Sequence, residues 1–482
     1  MASSDFFLCF VLCFSGLSVS FSDIVLLPLT HSLSKTQFNS THHLLKSTSA
    51  RSATRFHGHH QRRRQDYLTL SLGSDYTLSF TVGSYPPQPI SLFMDTGSDL
   101  IWFPCSPFEC ILCEGKYNPC TTTPLPKIHK NATVSCNSPA CSAAHSSLSS
   151  SDLCAISRCP LESIETSDCS SFNCPPFYYA YGDGSLIARL YKDSLSAPTP
   201  VHPPLLLPNF TFGCAHTTLG EPIGVAGFGR GLLSLPAQLA SFYPQLGNQF
   251  SYCLVSHSFD HDRVRLPSPL ILGRYGKKEK GLGNDGAGFV YTSMLENPKH
   301  PYFYCVGLEA ISVGKNTIPA PETLKRVNRR GNGGVVVDSG TTFTMLPASL
   351  YDAVVTQFEH RVGRMNERAI EVEGKTGLGP CYYYDEVVNV PAMALHFVGN
   401  GSSVVLPRRN YFYEFLDGGK KRKVGCLMLM NGGDEEELSG GPGATLGNYQ
   451  QQGFEVVYDL EIRRVGFARR HCASLWDRLN RS

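Results

Sequence analysis

Apolar and polar residues alternate along residues 76–82, Tyr-Thr-Leu-Ser-Phe-Thr-Val, the period-two pattern of a strand with one buried face. Gly83-Ser84-Tyr85-Pro86-Pro87 follows and predicts a turn, so the chain folds back as a hairpin into the next apolar run. That run, Leu92-Phe93-Met94, ends on Asp95. A carboxylate at the end of a buried strand is costly unless something hydrogen-bonds it or uses it. The same pattern returns far along the chain, where Val335-Val336-Val337 runs into Asp338. Short strands punctuated by 44 Gly and 32 Pro predict a mostly β architecture.

Each Asp opens a similar loop. Thr96-Gly97-Ser98 follows Asp95, and Ser339-Gly340-Thr341 follows Asp338. The hydroxyls can hydrogen-bond a carboxylate, and glycine admits a backbone conformation that a side chain forbids. One copy of this motif is a weak signal, but two copies suggest two similar halves that each bring a carboxylate to a shared site. Two carboxylates at hydrogen-bonding distance do not both ionise easily, so they share a proton. The ionised member can take a proton from water, which attacks a peptide carbonyl polarised by the protonated member.

These residues resemble the pepsin-like aspartic proteases, over about residues 76–472. Trp102 follows the first Asp at the family's distance, and Tyr178-Tyr179-Ala180-Tyr181-Gly182-Asp183-Gly184-Ser185 is similar to the family's flap hairpin. Val225-Ala226-Gly227 and Thr445-Leu446-Gly447 match the later strand of each half, and residues 454–459 and 464–468 match the C-terminal strands. The cysteine-rich stretch after Trp102 and Phe250-Ser251-Tyr252-Cys253-Leu254 look like the plant nepenthesin-like branch. The resemblance implies a bilobal pepsin-like fold with a cysteine-rich insertion in the N-terminal lobe. It makes Asp95 and Asp338 the catalytic pair and Ser98 and Thr341 their outer hydroxyl supports. Thr96 and Ser339 become the link beneath, with Gly97 and Gly340 between. Tyr181, with Gly182 and Asp183, becomes the flap over a peptide substrate, and Trp102 the partner of the Tyr181 hydroxyl. Two departures stand out: Leu186-Ile187-Ala188-Arg189 replaces the glycine usual after Gly-Ser in the flap, and Tyr85 is extra in the turn before Asp95.

At 482 residues the chain can form two sizeable domains. A charged fraction of 17% and aromatics at 11% exclude a disordered chain. Net charge is +2, with the excess in the first 66 residues, so the body offers nothing to attract a nucleic acid. Residues 6–19 form an apolar stretch of signal-peptide length, too short for a bilayer span. Residues 31–64 are rich in Ser, His and Arg and lack Asp and Glu. A transit peptide has that composition but does not normally follow an apolar leader, so a prosegment is expected. Its basic groups would pair with the acidic cleft and be released when the carboxylates protonate. The expected division is a signal peptide at 1–22, a prosegment at 23–66, an N-terminal lobe at 67–260 with the insertion at 105–174, and a C-terminal lobe at 261–482.

The 18 cysteines point to an oxidising compartment. Ten lie in residues 105–174, and the C-x4-C spacings there leave connectivity open. Cys110-x2-Cys113 raises a zinc alternative, which the leader disfavours. For the rest, the nepenthesin-like resemblance implies Cys305 with Cys472 and Cys381 with Cys426, leaving Cys214 for Cys253. Asn131, Asn209 and Asn400 open glycosylation patterns. The expectation is a secreted monomeric plant endopeptidase acting on protein or peptide substrates, with no cofactor, metal, nucleic acid or membrane anchor; vacuole, then plastid, are the alternative locations. The rival is a non-catalytic pepsin-fold inhibitor of glycosidases, a class that usually loses part of the catalytic pair or its hydroxyl support.

Overall fold

The computed structural model describes residues 24–31, 40–58, 76–83, 86–111, 125–129, 132–181, 184–200, 203–219, 223–256, 266–273, 288–385, 388–434, 438 and 440–481. The leader, Asn131, Gly182, Asp183 and the arginine run at 62–64 lie outside these.

Six antiparallel strands form a sheet that knits the two halves together. In spatial order they are Ile24–His31, Ser268–Gly273, Gln249–Cys253, Phe454–Asp459, Arg464–Arg469 and Val290–Leu295. The ends of this sheet therefore come from the N-terminal arm and from the second half. Its strands read as near-continuous apolar runs because both faces are covered. On one side Phe250 stacks on Tyr458 at 4.7 Å, with Tyr304 against the same ring at 4.4 Å.

The expected hairpin forms between Tyr76–Val82 and Gln88–Asp95, with Val82 opposite Gln88. The flap hairpin also forms. Phe177–Tyr181 pairs antiparallel with Gly184–Ala197, placing Tyr181 opposite Gly184. The second half adds two four-stranded sheets, one around Leu308–Val313 and Met393–Phe397, the other around Cys381–Tyr384 and Arg422–Leu427. The fold is thus mostly β and bilobal, with the cysteine-rich insertion in the first lobe.

The insertion folds as three short helices, Pro139–Ala144, Ser150–Ile156 and Leu161–Glu165. They are tied by Cys136–Cys154, Cys141–Cys174 and Cys159–Cys169, so no C-x4-C pair bonds to itself. These six sulfurs are committed to disulfides and so is that of Cys110, while Cys113, the other half of the zinc alternative, lies outside the described residues. Val134, Cys141, Leu153 and Cys174 pack with Trp102, Phe177, Leu186 and Leu190; the insertion buttresses the base of the flap hairpin.

Two disulfide expectations are corrected. Cys214 bonds to Cys105, and Cys472 bonds to Cys253, while Cys305 is buried and reduced. Residues 102–104 run parallel to residues 213–215, which brings Cys105 beside Cys214. Cys305 instead sits inside a sheet opposite Val336, with burial pushing its thiol up to about 12. Cys381–Cys426 joins directly opposed residues on neighbouring strands. Of the basic residues at 420–423, Lys420, Lys421 and Lys423 are exposed, while Arg422 pairs with Glu367 at 2.6 Å and lies over the Tyr383 ring.

Candidate active site

Each Asp is delivered by a strand that pairs in parallel with a later strand of its own half. Gln88–Asp95 runs beside Gly224–Gly227, with Met94 opposite Ala226 and Asp95 opposite Gly227. Val335–Val337 runs beside Ala444–Leu446, with Val337 opposite Leu446. The Val225-Ala226-Gly227 and Thr445-Leu446-Gly447 triads are the partners of the two Asp strands. Their glycines are required by close approach. A Cβ on Gly227 would stand 2.4 Å from the Asp99 carbonyl carbon, and one on Gly447 would stand 2.4 Å from the Thr342 carbonyl oxygen.

The loops interlock beneath the carboxylates. The Thr96 N–H donates to Ser339 Oγ at 3.0 Å and the Ser339 N–H donates to Thr96 Oγ1 at 2.8 Å. Each hydroxyl then donates onward across the interface, Thr96 to Val337 O at 3.0 Å and Ser339 to Met94 O at 3.1 Å. All four groups are buried and paired, so the network fixes one relative position of the two loops. Each loop glycine abuts the opposite carboxylate: a Cβ on Gly97 would lie 2.7 Å from Asp338 Oδ1, and one on Gly340 would lie 2.4 Å from Asp95 Oδ1.

Asp95 and Asp338 are 3% and 1% exposed. Each accepts the N–H of its own glycine, from Gly97 at 2.9 Å and Gly340 at 2.8 Å. The hydroxyl supports differ. Thr341 Oγ1 donates to Asp338 Oδ2 at 2.5 Å. Ser98 is buried beside Asp95 and helps to lower its pKa, but its hydroxyl is less well aligned with the carboxylate than that of Thr341.

A third group enters from the N-terminal arm. Arg55, on the helix Thr41–Gly58, donates from Nη2 to Asp95 Oδ1 at 2.6 Å and from Nε to Asp338 Oδ2 at 3.2 Å. One guanidinium therefore spans both carboxylates. Burial by itself raises the Asp95 pKa, but the charge and hydrogen bond of Arg55 outweigh it and the net direction is down. For Asp338, burial and the neighbouring Asp95 charge prevail over Arg55 and Thr341, and the net direction is up. With the arm docked, Arg55 thus pulls Asp95 down, while burial and the facing carboxylate keep Asp338 the higher of the two.

The arm helix is docked along its length. Leu44 and Leu45 pack with Phe343, Val372, Tyr413 and Phe415, and Ser49 Oγ donates to Thr376 O at 2.7 Å. His42 Nε2 lies 3.5 Å from Asp417 Oδ1, and burial lowers the His42 pKa against the pull of that Asp.

Trp102 is buried with Leu100, Phe177 and Leu186, at the foot of the hairpin that ends in Tyr181. The Tyr181 side chain lies outside the description. Sequence reasoning missed Asp99, whose Oδ1 accepts the Gly231 N–H at 2.7 Å; burial pushes its pKa up to about 6. It also missed a set of amides under the second loop. Asn448 Nδ2 donates to Ser339 O at 2.8 Å, and Gln451 Nε2 donates to Leu446 O at 2.8 Å and to Asp338 O at 3.3 Å. Gln451 Oε1 in turn accepts from Tyr252, whose hydroxyl is 2.8 Å from that of Tyr458. The available signal was five consecutive polar or aromatic residues, Asn448-Tyr449-Gln450-Gln451-Gln452, between two apolar strands.

Comparison with known proteins gives a consistent picture. Family models described as xylanase inhibitor N-terminal and xylanase inhibitor C-terminal match residues 76–273 and 303–469. A probable aspartyl protease of Arabidopsis thaliana is 64% identical, covering 95% of each chain. Aspartic proteinase nepenthesin-1 of Nepenthes gracilis is 29% identical over 83% of this chain and 78% of its own. Among solved structures, EDGP superposes with a TM-score of 0.61 at 18% identity, covering 94% of this chain and 96% of that one. Soybean basic 7S globulin gives 0.60 at 20% identity, covering 94% and 99%. At those identities the two structures speak to the fold alone.

Proposed function

The chain belongs to the plant pepsin-like aspartic protease family, and from that premise we propose that it is an acid endopeptidase made as a zymogen, with Asp95 and Asp338 as its catalytic pair. The observation that carries this reading is the single guanidinium spanning two buried carboxylates whose loops are locked together by Thr96 and Ser339. A built pair of acids, closed by a cation from the N-terminal arm, is what an inactive precursor of such an enzyme requires.

Once Arg55 withdraws, a water takes its place between the carboxyls. Asp95 accepts a proton from that water as its oxygen bonds to the peptide carbonyl carbon, while Asp338 donates its proton to the carbonyl oxygen. On collapse the C–N bond breaks, the proton held by Asp95 passes to the leaving nitrogen, and the carbonyl proton returns to Asp338. No covalent intermediate forms. Thr341 and the Gly97 and Gly340 amides hold the carboxyls, and the hairpin of Phe177–Tyr181 and Gly184–Ala197 is the flap of this reading, its expected tip residues Gly182 and Asp183 lying outside the described residues.

Acid opens the arm by linkage. Asp95 is depressed by Arg55, so its contribution to docking is complete above the ordinary carboxylate pKa and is lost as pH falls through the depressed value. His42 works in the same sense: it is docked with a lowered pKa, so the released arm binds more protons and acid favours release. Asp338, raised, does not drive the opening.

Six fully described disulfides and the apolar leader support secretion. Asn209 and Asn400 are exposed and available for glycosylation. Among the described residues, no helix is long and apolar enough to cross a membrane. The family-model descriptions favour a second reading, inhibition of a glycosidase, which needs neither carboxylate. The deciding experiment incubates wild type and Asp95→Asn in acid with a denatured protein, with and without pepstatin. Pepstatin-sensitive cleavage by wild type alone is expected; equal inertness of two folded, processed proteins defeats the proposal.

A further inference from the structure

Asp95 and Asp338 are held from behind by different donors. The Asp95 carbonyl accepts the backbone N–H of Phe228 at 2.8 Å. For Asp338 that place is taken by a side chain, Gln451, whose Nε2 donates to Asp338 O at 3.3 Å and to Leu446 O at 2.8 Å. Both acceptors are carbonyls, so the amide has to turn its NH2 toward them and its oxygen away. That oxygen accepts from the Tyr252 hydroxyl. Tyr252 in turn lies 2.8 Å from the Tyr458 hydroxyl, and Tyr458 also donates to Val337 O at 3.4 Å. All three side chains are buried. Tyr252 belongs to Gln249–Cys253, in the first half, so this relay of hydrogen bonds crosses from one half into the loop of the other.

The result is a grip on both peptides that flank the Asp338 Cα. On the N-terminal side, Val337 O accepts from Thr96 Oγ1 at 3.0 Å and the Asp338 N–H donates to Leu446 O at 3.1 Å. On the C-terminal side, the Asp338 carbonyl accepts from Gln451 and the Ser339 N–H donates to Thr96 Oγ1 at 2.8 Å. With both planes fixed, the direction in which the Asp338 side chain leaves the backbone is fixed too. We propose that Gln451, oriented by Tyr252 and Tyr458, is a positioning residue for the Asp338 carboxyl. This rests on the proteolytic reading above and extends it to groups that lie behind the reacting pair. Burial pushes both tyrosine hydroxyls up, so the relay keeps its protons while Asp338 titrates. Asp338 itself faces the charges of Asp95 and Arg55, with the Thr341 hydroxyl and the Gly340 amide as its donors. If the grip loosens, the carboxyl moves off those two donors, and its charged form loses most.

The test combines kinetics with hydrogen exchange. Tyr252→Phe, Gln451→Met and the double variant, each processed in acid, cleave a denatured protein across a pH series. Each single change is expected to lower kcat about ten-fold, as a misplaced reacting group does, with KM unchanged. The limb of the pH–rate profile that Asp338 governs moves to higher pH, and the Asp95 limb stays. Because the two residues act through one another, the double variant is expected to lose no more than the worse single one. Losses that multiply, a rise in KM alone, or equal movement of both limbs overturns the proposal. The second measurement needs no turnover and uses the full-length chain at neutral pH. Amides of residues 338–341 are expected to exchange about ten-fold faster in Tyr252→Phe and in Gln451→Met, while those of residues 76–82 are unchanged. Equal acceleration in both segments marks a general loss of stability and overturns the proposal, as does unchanged exchange at 338–341. A wild type that cuts nothing counts against the proteolytic reading, and the exchange pattern then decides on the grip alone.

Discussion

The Asp95 loop and the Asp338 loop are reached by the same route and finished differently. In both, an apolar strand pairs in parallel with a strand that ends at a glycine or just before one, and a hydroxyl from each loop locks the other. Beyond that the halves diverge. Asp338 holds a direct hydrogen bond from Thr341, whereas the less well aligned Ser98 leaves Asp95 mainly to its glycine amide and to Arg55. Four residues past each Asp, the first loop carries the half-buried carboxyl of Asp99 and the second carries the buried Thr342. The duplicated motif therefore sets position, while the neighbours that are not duplicated set which carboxyl is charged.

The strongest way to break this comparison is to remove one carboxylate at a time. Asp95→Asn and Asp338→Asn are each expected to lower proteolysis by at least about 10²–10⁴-fold, since each proton-transfer partner is needed in every turnover. Assays of folded, arm-free protein measure this. A variant of either Asp that keeps near-wild-type turnover would show that the apparent symmetry is structural only.

Next in size is Arg55→Gln, which removes the cation shared by the two loops. Breaking a buried, hydrogen-bonded pair costs about 3–5 kcal/mol, and here it leaves two facing acids. Asp95 is expected to rise toward Asp338, the arm to leave without strong acid, and the chain to bind pepstatin at a pH where wild type does not. Immobilised pepstatin capture across a pH series reads the shift directly. Capture at the wild-type pH would mean that Leu44, Leu45 and Phe56 hold the arm without help from the charge.

The unequal hydroxyls give a smaller and sharper test. Thr341→Val deletes a donor to Asp338, and hydrogen bonds to charged groups are worth about 1.5–3 kcal/mol. The charged form of Asp338 loses most, so its pKa rises further and the limb of the pH–rate profile that it governs moves to higher pH. Ser98→Ala is expected to move the Asp95 limb much less. Equal shifts would show that Ser98 aligns with Asp95 once the arm has gone.

Asp99 extends the contrast to stability. Its folded pKa is raised to about 6, so it weighs least on folding below the ordinary carboxylate pKa, and stability is lost as pH rises through 6. Asp99→Asn keeps an acceptor for the Gly231 amide and removes the charge. Melting curves should be unchanged at pH 4 and higher than wild type at pH 7, by about 1–2 kcal/mol once its partial exposure is allowed for. A loss at both pH values would make the carboxyl a purely structural anchor.

The contrast also marks what a single sequence shows. The strand Tyr76–Val82, both Asp loops and both glycine-ended partners were legible because each is written in a few consecutive residues, with a period or a motif to betray it. Asn448 and Gln451 were not, because they reach the site by hydrogen bonds to backbone carbonyls, and any carbonyl looks like any other in a sequence; Tyr252 reaches it only through the Gln451 side chain. Arg55 was visible only as part of a basic arm; which of its cations would meet the carboxyls depends on the register of one helix over a groove. The pairing of Cys105 with Cys214 follows from strand neighbours, and that of Cys253 with Cys472 from the packing of the helix Cys472–Leu479 against the central sheet, neither from spacing.

The smallest expected effect comes from the arm's own titrating group. His42 is partly buried 3.5 Å from Asp417, with Lys375 opposing its charge and Tyr383 bonded to the same carboxylate. Because burial lowers its pKa, docking expels a proton and undocking takes one up, so the release of the arm gains steepness in acid near the ordinary histidine pKa. His42→Gln removes that uptake while retaining a donor toward Asp417. Release, followed by hydrogen exchange in residues 41–58, should move to slightly lower pH and become less steep, leaving Asp95 as the remaining driver. If release instead moves to higher pH, the charged His42–Asp417 pair was holding the arm in place, and the carboxylates of the active site alone make the chain acid-sensitive.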